Sequence, residues 1–209
     1  MRPVKKRRGA SAKVYDKAYF DRWYRDPRRR IATPGDFDRK ARLVVGIAES
    51  LLQRPVRTAL DIGCGEGAWR GALRRARGGI RYVGVDSSAY VVSRYGNARG
   101  IRYGTFGTLA SADLDGPFDI IICGDMLQYV EPRELARGLD AVAGLLGGVA
   151  FLEAYTTADS VTGDRRGWFH RTPAWYRRAF KRAGLVAVGM HCWVGDALRD
   201  GAAALERMP

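Results

Sequence analysis

From Asp61 the chain reads Asp-Ile-Gly-Cys-Gly-Glu-Gly, placing glycines at 63, 65 and 67. A residue without a Cβ lets a ligand come close to the backbone, and glycine alone adopts left-handed conformations freely. An apolar run, 59–62, leads into this loop. The helix-like stretch 68–76 follows, and the free N–H groups of its first turn can face a polar ligand. Gly63-x-Gly65-x-x-Ala68, with Asp86 about 20 residues beyond, also fits the relaxed dinucleotide fingerprint. Against that ligand stands Asp61, because a carboxylate ahead of the first glycine repels a pyrophosphate and suits a cation. Asp86 ends a second apolar run, 82–85, where its two acceptor oxygens match two adjacent hydroxyl donors, although such a residue can also cap a helix. Of the two histidines, His170 lies in a loop dense in charge and aromatics and is the best base candidate. His191 lies in an apolar stretch and reads as structural.

Alternating elements position these residues. Strands are expected at 59–62, 82–85, 101–103, 118–123, 149–152 and 185–193, and helices at 68–76, 88–95, 134–146 and 173–183. Strands apolar on both sides, such as Phe118-Asp119-Ile120-Ile121-Ile122-Cys123, suit a parallel sheet covered by helices. The pattern predicts a Rossmann-like, doubly wound, mostly parallel α/β sheet of six or seven strands with an added N-terminal helical segment. In that segment Tyr15, Tyr19, Phe20, Trp23 and Tyr24 recur at helical spacing, which predicts a helix ending near Asp26-Pro27 with its aromatic stripe in the core. Thr33-Pro34-Gly35 reads as a turn. A second helix at 37–52 would bury Leu43, Val44, Ile47, Leu51 and Leu52. The domain reading is a basic, disordered tail at 1–12, N-terminal helices at 13–54 forming a candidate lid, and a core at 55–209.

The segment Leu60-Asp61-Ile62-Gly63-Cys64-Gly65-Glu66-Gly67 resembles motif I of class I S-adenosylmethionine-dependent methyltransferases. Tyr82-Val83-Gly84-Val85-Asp86-Ser87-Ser88 looks like motif II, and the stretch from Phe118 to Val130 resembles motif IV of the small-molecule enzymes. The likeness spans 58–190. It implies S-adenosyl-L-methionine as cofactor, held by Asp61, Gly63, Cys64, Gly65, Asp86, Ser87, Thr105, Phe106, Gly124, Asp125 and Met126. Asp86 would take the ribose, and the residues from Gly124 to Leu127 would line the methyl-transfer pocket. Asp119 reads as structural. The chain departs from the pattern at Thr105, where relatives carry an adenine-binding Asp, and at Gln128, where they often have His. It also leaves little sequence for a seventh strand, since 202–205 looks helical.

Methyl transfer from a sulfonium depends mainly on alignment, with a base needed only for a protonated acceptor. Three segments could hold that acceptor: 153–157 with Glu153 and Tyr155, the loop 164–171 with His170, and the N-terminal aromatic helix. Glu153 is a second base candidate, or an orienting partner for Arg165 or Arg166, and Tyr129 is a further pocket candidate. A small molecule is the favoured acceptor, with anionic ones among the candidates. The chain carries 36 Lys/Arg against 22 Asp/Glu, a net charge of +14, and twelve of those cations lie in residues 1–30. That field makes nucleic acid an alternative partner. No Asp/Asn-Pro-Pro-aromatic motif for base amines follows the fourth strand, however, and Cys123 is no C5 nucleophile. Ribose methylation stays open, as does a non-catalytic binding module. Three scattered cysteines have no metal-ligand spacing, no apolar run reaches the ~18 residues of a membrane span, and a cytoplasmic protein is expected. No pattern speaks to oligomeric state.

Overall fold

The computed structural model describes residues 13–161 and 163–201. The basic tail at 1–12 and the helix expected at 202–205 lie outside the described residues. The sheet has seven strands, β1 (Thr58–Ile62), β2 (Arg81–Asp86), β3 (Ile101–Tyr103), β4 (Phe118–Gly124), β5 (Leu146–Glu153), β6 (Val186–Gly189) and β7 (Cys192–Val194). Their order is β3-β2-β1-β4-β5-β7-β6, parallel except that β7 runs antiparallel to both β5 and β6.

Side chains alternate across a strand, so each central strand feeds two cores. Leu60, Ile121, Cys123, Ala150 and Leu152 pack on one face, together with helices α5 (Pro132–Leu145) and α6 (Pro173–Arg182). Ala59, Ile120, Ile122, Val149 and Phe151 pack on the other, with α2 (Pro34–Leu52) and α3 (Ala68–Ala76). The short helix α1 (Lys17–Phe20), α4 (Ala89–Arg99) and the short α7 (Asp196–Arg199) complete the helices described.

Four expectations are corrected. The stretch 185–193 is two strands, not one: Met190 and His191 both adopt positive φ (50° and 63°) and turn the chain back on itself. Positive φ at both central residues suits the right-handed twist of a tight hairpin, so the seventh strand lies inside the segment read as the sixth. His191 therefore sits exposed at a hairpin tip, not within a strand. Thr33-Pro34-Gly35 opens α2: the Thr33 N–H donates to Asp36 Oδ2 (2.8 Å), the Asp36 N–H donates back to Thr33 Oγ1 (3.3 Å), and Pro34 takes the first turn. Only Ala41, Val44, Val45 and Ala48 of α2 are fully buried, with Leu43, Ile47, Leu51 and Leu52 half-buried beside them. Lastly, the aromatic stripe buries Phe20 alone, and α1 passes at once into a π-helical turn, Asp21–Arg25.

Asp119 fastens the start of β4 to the segment preceding β1. Its carboxylate accepts from both Arg54 Nη atoms (2.7 and 3.1 Å) and from the N–H groups of Arg57 (2.6 Å) and Thr58 (3.2 Å). Burial alone would raise its pKa, but Arg54 and these N–H donors outweigh it and hold the carboxyl below its usual range. That stabilisation is present above the unfolded carboxyl pKa and is lost as pH falls through the lower folded value. Asp119→Ala strands two backbone donors and a guanidinium, and should cost about 3 kcal/mol in urea unfolding at pH 7. A cost no larger than that of an ordinary surface substitution would show that the clasp contributes little.

Candidate functional site

Strand order reverses between β1 and β4, so the chain leaves the carboxyl ends of these neighbours in opposite directions and opens a crevice. Gly63 (φ 68°) and Gly65 (φ 52°) form one wall in left-handed backbone, and Gly67 (φ 79°) caps α3. A Cβ on Gly63 would sit 2.8 Å from Met126 Cγ, and one on Gly65 would sit 3.3 Å from the Phe20 ring, so only bare backbone fits there. The loop is tied to the end of β2. The Gly63 N–H donates to Val85 O (2.8 Å) and the Gly65 N–H donates to Asp86 Oδ2 (2.7 Å).

Asp86 is buried and faces the cavity. Its Oδ1 accepts from the Ser88 N–H (2.8 Å), leaving each oxygen a further lone pair. It is not the helix cap. Ser88 caps α4 by accepting from the Val91 N–H (3.1 Å). Burial raises the Asp86 pKa, opposed by the Ser88 and Gly65 donors.

A cavity of about 220 Å³ collects Gly63, Gly65, Asp86, Ser87, Thr105, Phe106, Gly124, Asp125 and Met126 from four separate strand ends. Asp61 and Cys64 line an adjoining cavity of about 320 Å³, with Lys40 and Glu153. Asp61 is buried and accepts from the Tyr82 hydroxyl (2.7 Å). Burial raises its pKa to about 7 against that hydrogen bond, with Asp86 adding to the rise. Burial also pushes the Cys64 thiol up, which leaves it inert. The Phe106 ring is packed in the core against Gly138, where a Cβ would lie 2.1 Å away. Glu134 of α5, which the sequence did not suggest, reaches the same end of the cavity and accepts from the Gly107 N–H (3.2 Å).

A third cavity, about 430 Å³, is lined from all three segments expected to hold an acceptor: Tyr155, then Asp164 and Trp168, then Tyr19 and Trp23. Arg28, Arg29 and Arg30 also line it. All three cavities share Asp125. This residue holds left-handed backbone (φ 54°), which costs a non-glycine residue roughly 1–2 kcal/mol and needs support from its surroundings. Gln128, fully buried, supplies part of it by donating from Nε2 to Asp125 Oδ1 (2.7 Å). Arg171, unremarked in the sequence, braces the same turn by donating to Leu127 O (3.1 Å) and Val130 O (2.6 Å) from a buried position. Burial raises the Asp125 carboxyl to about 6, with Gln128 and Lys40 opposing and Glu153 adding.

Neither base expected from the sequence is free in the crevice. Glu153 is bonded by Lys40 Nζ at 2.6 and 2.8 Å, a partner from α2 rather than from the 164–171 loop. His170 is exposed, beside Trp168, and lines none of the three cavities.

A doubly wound sheet with a glycine loop after β1, an acid closing β2 and a pocket at the strand reversal defines a class of nucleoside-binding α/β enzymes. Within it, the methyltransferase-domain family model matches residues 24–194, and the chain belongs to that family. It is an S-adenosylmethionine-dependent methyltransferase of class I, with S-adenosylmethionine as cofactor. Among solved structures it is similar to the sugar N-methyltransferase KedS8 from Streptoalloteichus sp ATCC 53650 (19% identity, 94% of each chain, TM-score 0.63). It is also similar to DesVI of Streptomyces venezuelae (15%, 77% of this chain and 92% of that one, 0.61). A third is CalS10, an amino pentose methyltransferase from Micromonospora echinaspora solved with S-adenosylmethionine bound (18%, 84% and 92%, 0.60). A search of curated protein sequences finds no significant match.

Because the Gln128 bond stabilises the ionised Asp125, Gln128→Leu should move the carboxyl titration above pH 6. Carbon-13 NMR of the side-chain carboxyls reads this directly, and an unshifted titration would mean the bond is not made in solution.

Proposed function

We propose that the chain methylates a small molecule seated in the 430 Å³ cavity, with the donor held across the other two. The observation that carries this reading is the convergence of all three cavities on one partly buried carboxylate, Asp125. The residues fit the donor's chemistry. Asp86 offers a spare lone pair on each oxygen for the two ribose hydroxyls. Glu134, with Thr105, would meet the adenine amino group in place of the usual Asp. Asp61, behind Gly63, would face the amino-acid end. Gly63, Gly65 and Gly124 allow close approach, and Met126 and Ser87 complete the lining. When bound, the donor supplies a sulfonium-activated methyl group.

The chain's own work is then alignment and proton handling. Tyr19 and Tyr129 line both the donor and the acceptor cavities and bring the two reactants together. Asp125, titrating near 6, is largely ionised at neutral pH and can take a proton from an acceptor. This role replaces those considered for Glu153 and His170. The N-terminal segment acts as the lid: the Ser88 hydroxyl donates to Tyr15 O (2.5 Å), and Arg25 pairs with Glu66 of the glycine loop. Arg28, Arg29 and Arg30 on the acceptor side favour an anionic group on the substrate. Sugar N-methylation and amino pentose methylation by two of the similar structures support a metabolite over nucleic acid. Among the described residues, no helix is long and apolar enough to cross a membrane.

Two experiments test the reading. Asp86→Ala should weaken S-adenosylhomocysteine binding by roughly tenfold or more, as two charge-assisted hydrogen bonds are lost. Unchanged affinity by calorimetry would remove Asp86 from the site. An Asp61 near pKa 7 that meets a cation must ionise, so donor binding should release protons below pH 7, and affinity should rise with pH up to about 7. Calorimetry in buffers of different ionisation enthalpy measures that release. Asp61→Asn should abolish it, and equal release from both proteins would refute the assignment.

A further inference from the structure

Between the donor and acceptor cavities, the side-chain ammonium of Lys13 is held in a cage of rings. It lies 3.6 Å from the centroid of Tyr129 and 5.1 Å from those of Tyr15 and Tyr19, with Asp164 Oδ2 at 2.9 Å. The Lys13 side chain is only 13% exposed. The cage is built from three separate parts of the chain. Ser88 fixes the backbone of Tyr15, Tyr19 sits in α1, and the Tyr129 hydroxyl donates to Asp164 O (2.5 Å). Aromatic faces surrounding one cation, with a carboxylate closing the remaining side, form a site selective for ammonium groups. Tyr19 and Tyr129 are also the rings shared by the two cavities.

We propose that this cage is the subsite for the amino group of the methyl acceptor, and that Lys13 occupies it as an internal stand-in which the acceptor's amine displaces. The inference rests on the reading of the 430 Å³ cavity as the acceptor site. It names the nucleophile as nitrogen and the acceptor as an amine whose remaining groups extend toward Arg28, Arg29 and Arg30.

The chemistry suits the cage. An ammonium has no lone pair, so the bound amine first loses one proton to Asp125 or to water. Its nitrogen lone pair then forms the N–C bond while the S–C bond breaks and leaves its electron pair on sulfur. The products are a methylammonium ion and the neutral thioether. Positive charge grows on nitrogen during transfer, and the rings and Asp164 stabilise it most in the transition state and product. The proton loss is also eased. Burial lowers the pKa of the Lys13 ammonium, against Asp164 and Asp125, and an acceptor amine in the same place meets the same desolvation.

The test uses the full chain and tetramethylammonium, a probe that can fill the cage but cannot be methylated. Lys13→Met vacates the site, so calorimetry should show tetramethylammonium binding roughly tenfold more tightly than to the wild type. Adding Tyr129→Leu to that variant should cancel the gain, whereas adding Tyr129→Phe, which keeps the ring face, should retain it. Equal binding to wild type and Lys13→Met, with both folded by circular dichroism, would overturn the cage as a ligand site. A gain that survives Tyr129→Leu would overturn it as well. S-adenosylhomocysteine binding is measured on the same samples. Its absence from the wild type would defeat the donor site while leaving the cation result to stand or fall separately. A matched pair of aminoalkyl and hydroxyalkyl acceptors then tests the nucleophile: methylation of the alcohol in preference to the amine would overturn the substrate class.

Discussion

The reversal of strand order between β1 and β4 constrains everything built above the sheet. Two neighbouring strands whose chains depart in opposite directions cannot cover their shared carboxyl edge, and a ligand fills the resulting gap. The two departing turns nevertheless nearly touch, since a single carbon on Gly63 would collide with Met126. That closeness demands glycine on the β1 side. On the β4 side Asp125 holds left-handed backbone, supported by Gln128 and by the guanidinium of Arg171. Buried hydrogen bonds from Gln128 and Arg171 hold the β4 turn, and those of the Gly63 and Gly65 N–H groups hold the β1 turn, which fixes the width of the crevice.

Charge within this crevice opposes the charge of the chain. The whole sequence carries +14, yet the charged residues that line the 220 Å³ cavity are carboxylates, Asp86, Asp125 and Glu134, with Asp61 in the adjoining one. Desolvation raises the pKa of Asp61, Asp86 and Asp125, so a cation or a pair of hydroxyl donors that reaches them stabilises the ionised form. A sulfonium donor that also carries an ammonium is well matched to such walls. Arginines line the other two cavities, Arg25, Arg75 and Arg99 beside Asp61 and Arg28, Arg29 and Arg30 in the 430 Å³ one, and others are paired with carboxylates, as Arg54 is with Asp119 and Arg77 with Glu49. The net charge is therefore no guide to the sign of the 220 Å³ cavity.

What could be read in the sequence divides along the same line between local pattern and long-range placement. The parallel strands, most helix positions and the glycine loop were legible because each depends on nearby residues: apolar runs, helical spacing, and Gly63, Gly65 and Gly67 in register. The split of 185–193 was not, since Met190 and His191 lack the usual Gly or Asn of a tight hairpin. The ring role of Tyr15 and Tyr19 was equally hidden, because helical spacing is the same whether a stripe faces a core or a cavity. Glu153 read in sequence as a base or as a partner of nearby Arg165 or Arg166, since Lys40, which bonds it, lies 113 residues earlier. Arg171 and Glu134 carried no local signal at all; their importance comes from carbonyls and a cavity contributed by other elements.

The N-terminal segment contributes residues to all three cavities. The aromatic stripe fully buries only Phe20, leaving Tyr15 and Tyr19 half-buried and Tyr24 exposed, so ordering these rings gains more when they also line a cavity. Here they roof a polar cavity and, through Tyr15 and Tyr19, surround a cation. The same segment pairs Arg25 with Glu66, so the roof is tied to the glycine loop it covers. The roof is thus tied through Arg25 to Glu66 of the glycine loop and through Lys13 to Asp164. On the proposed reading, one short stretch of chain therefore borders both reactants, and in-line transfer between two separately bound molecules depends on such mutual placement.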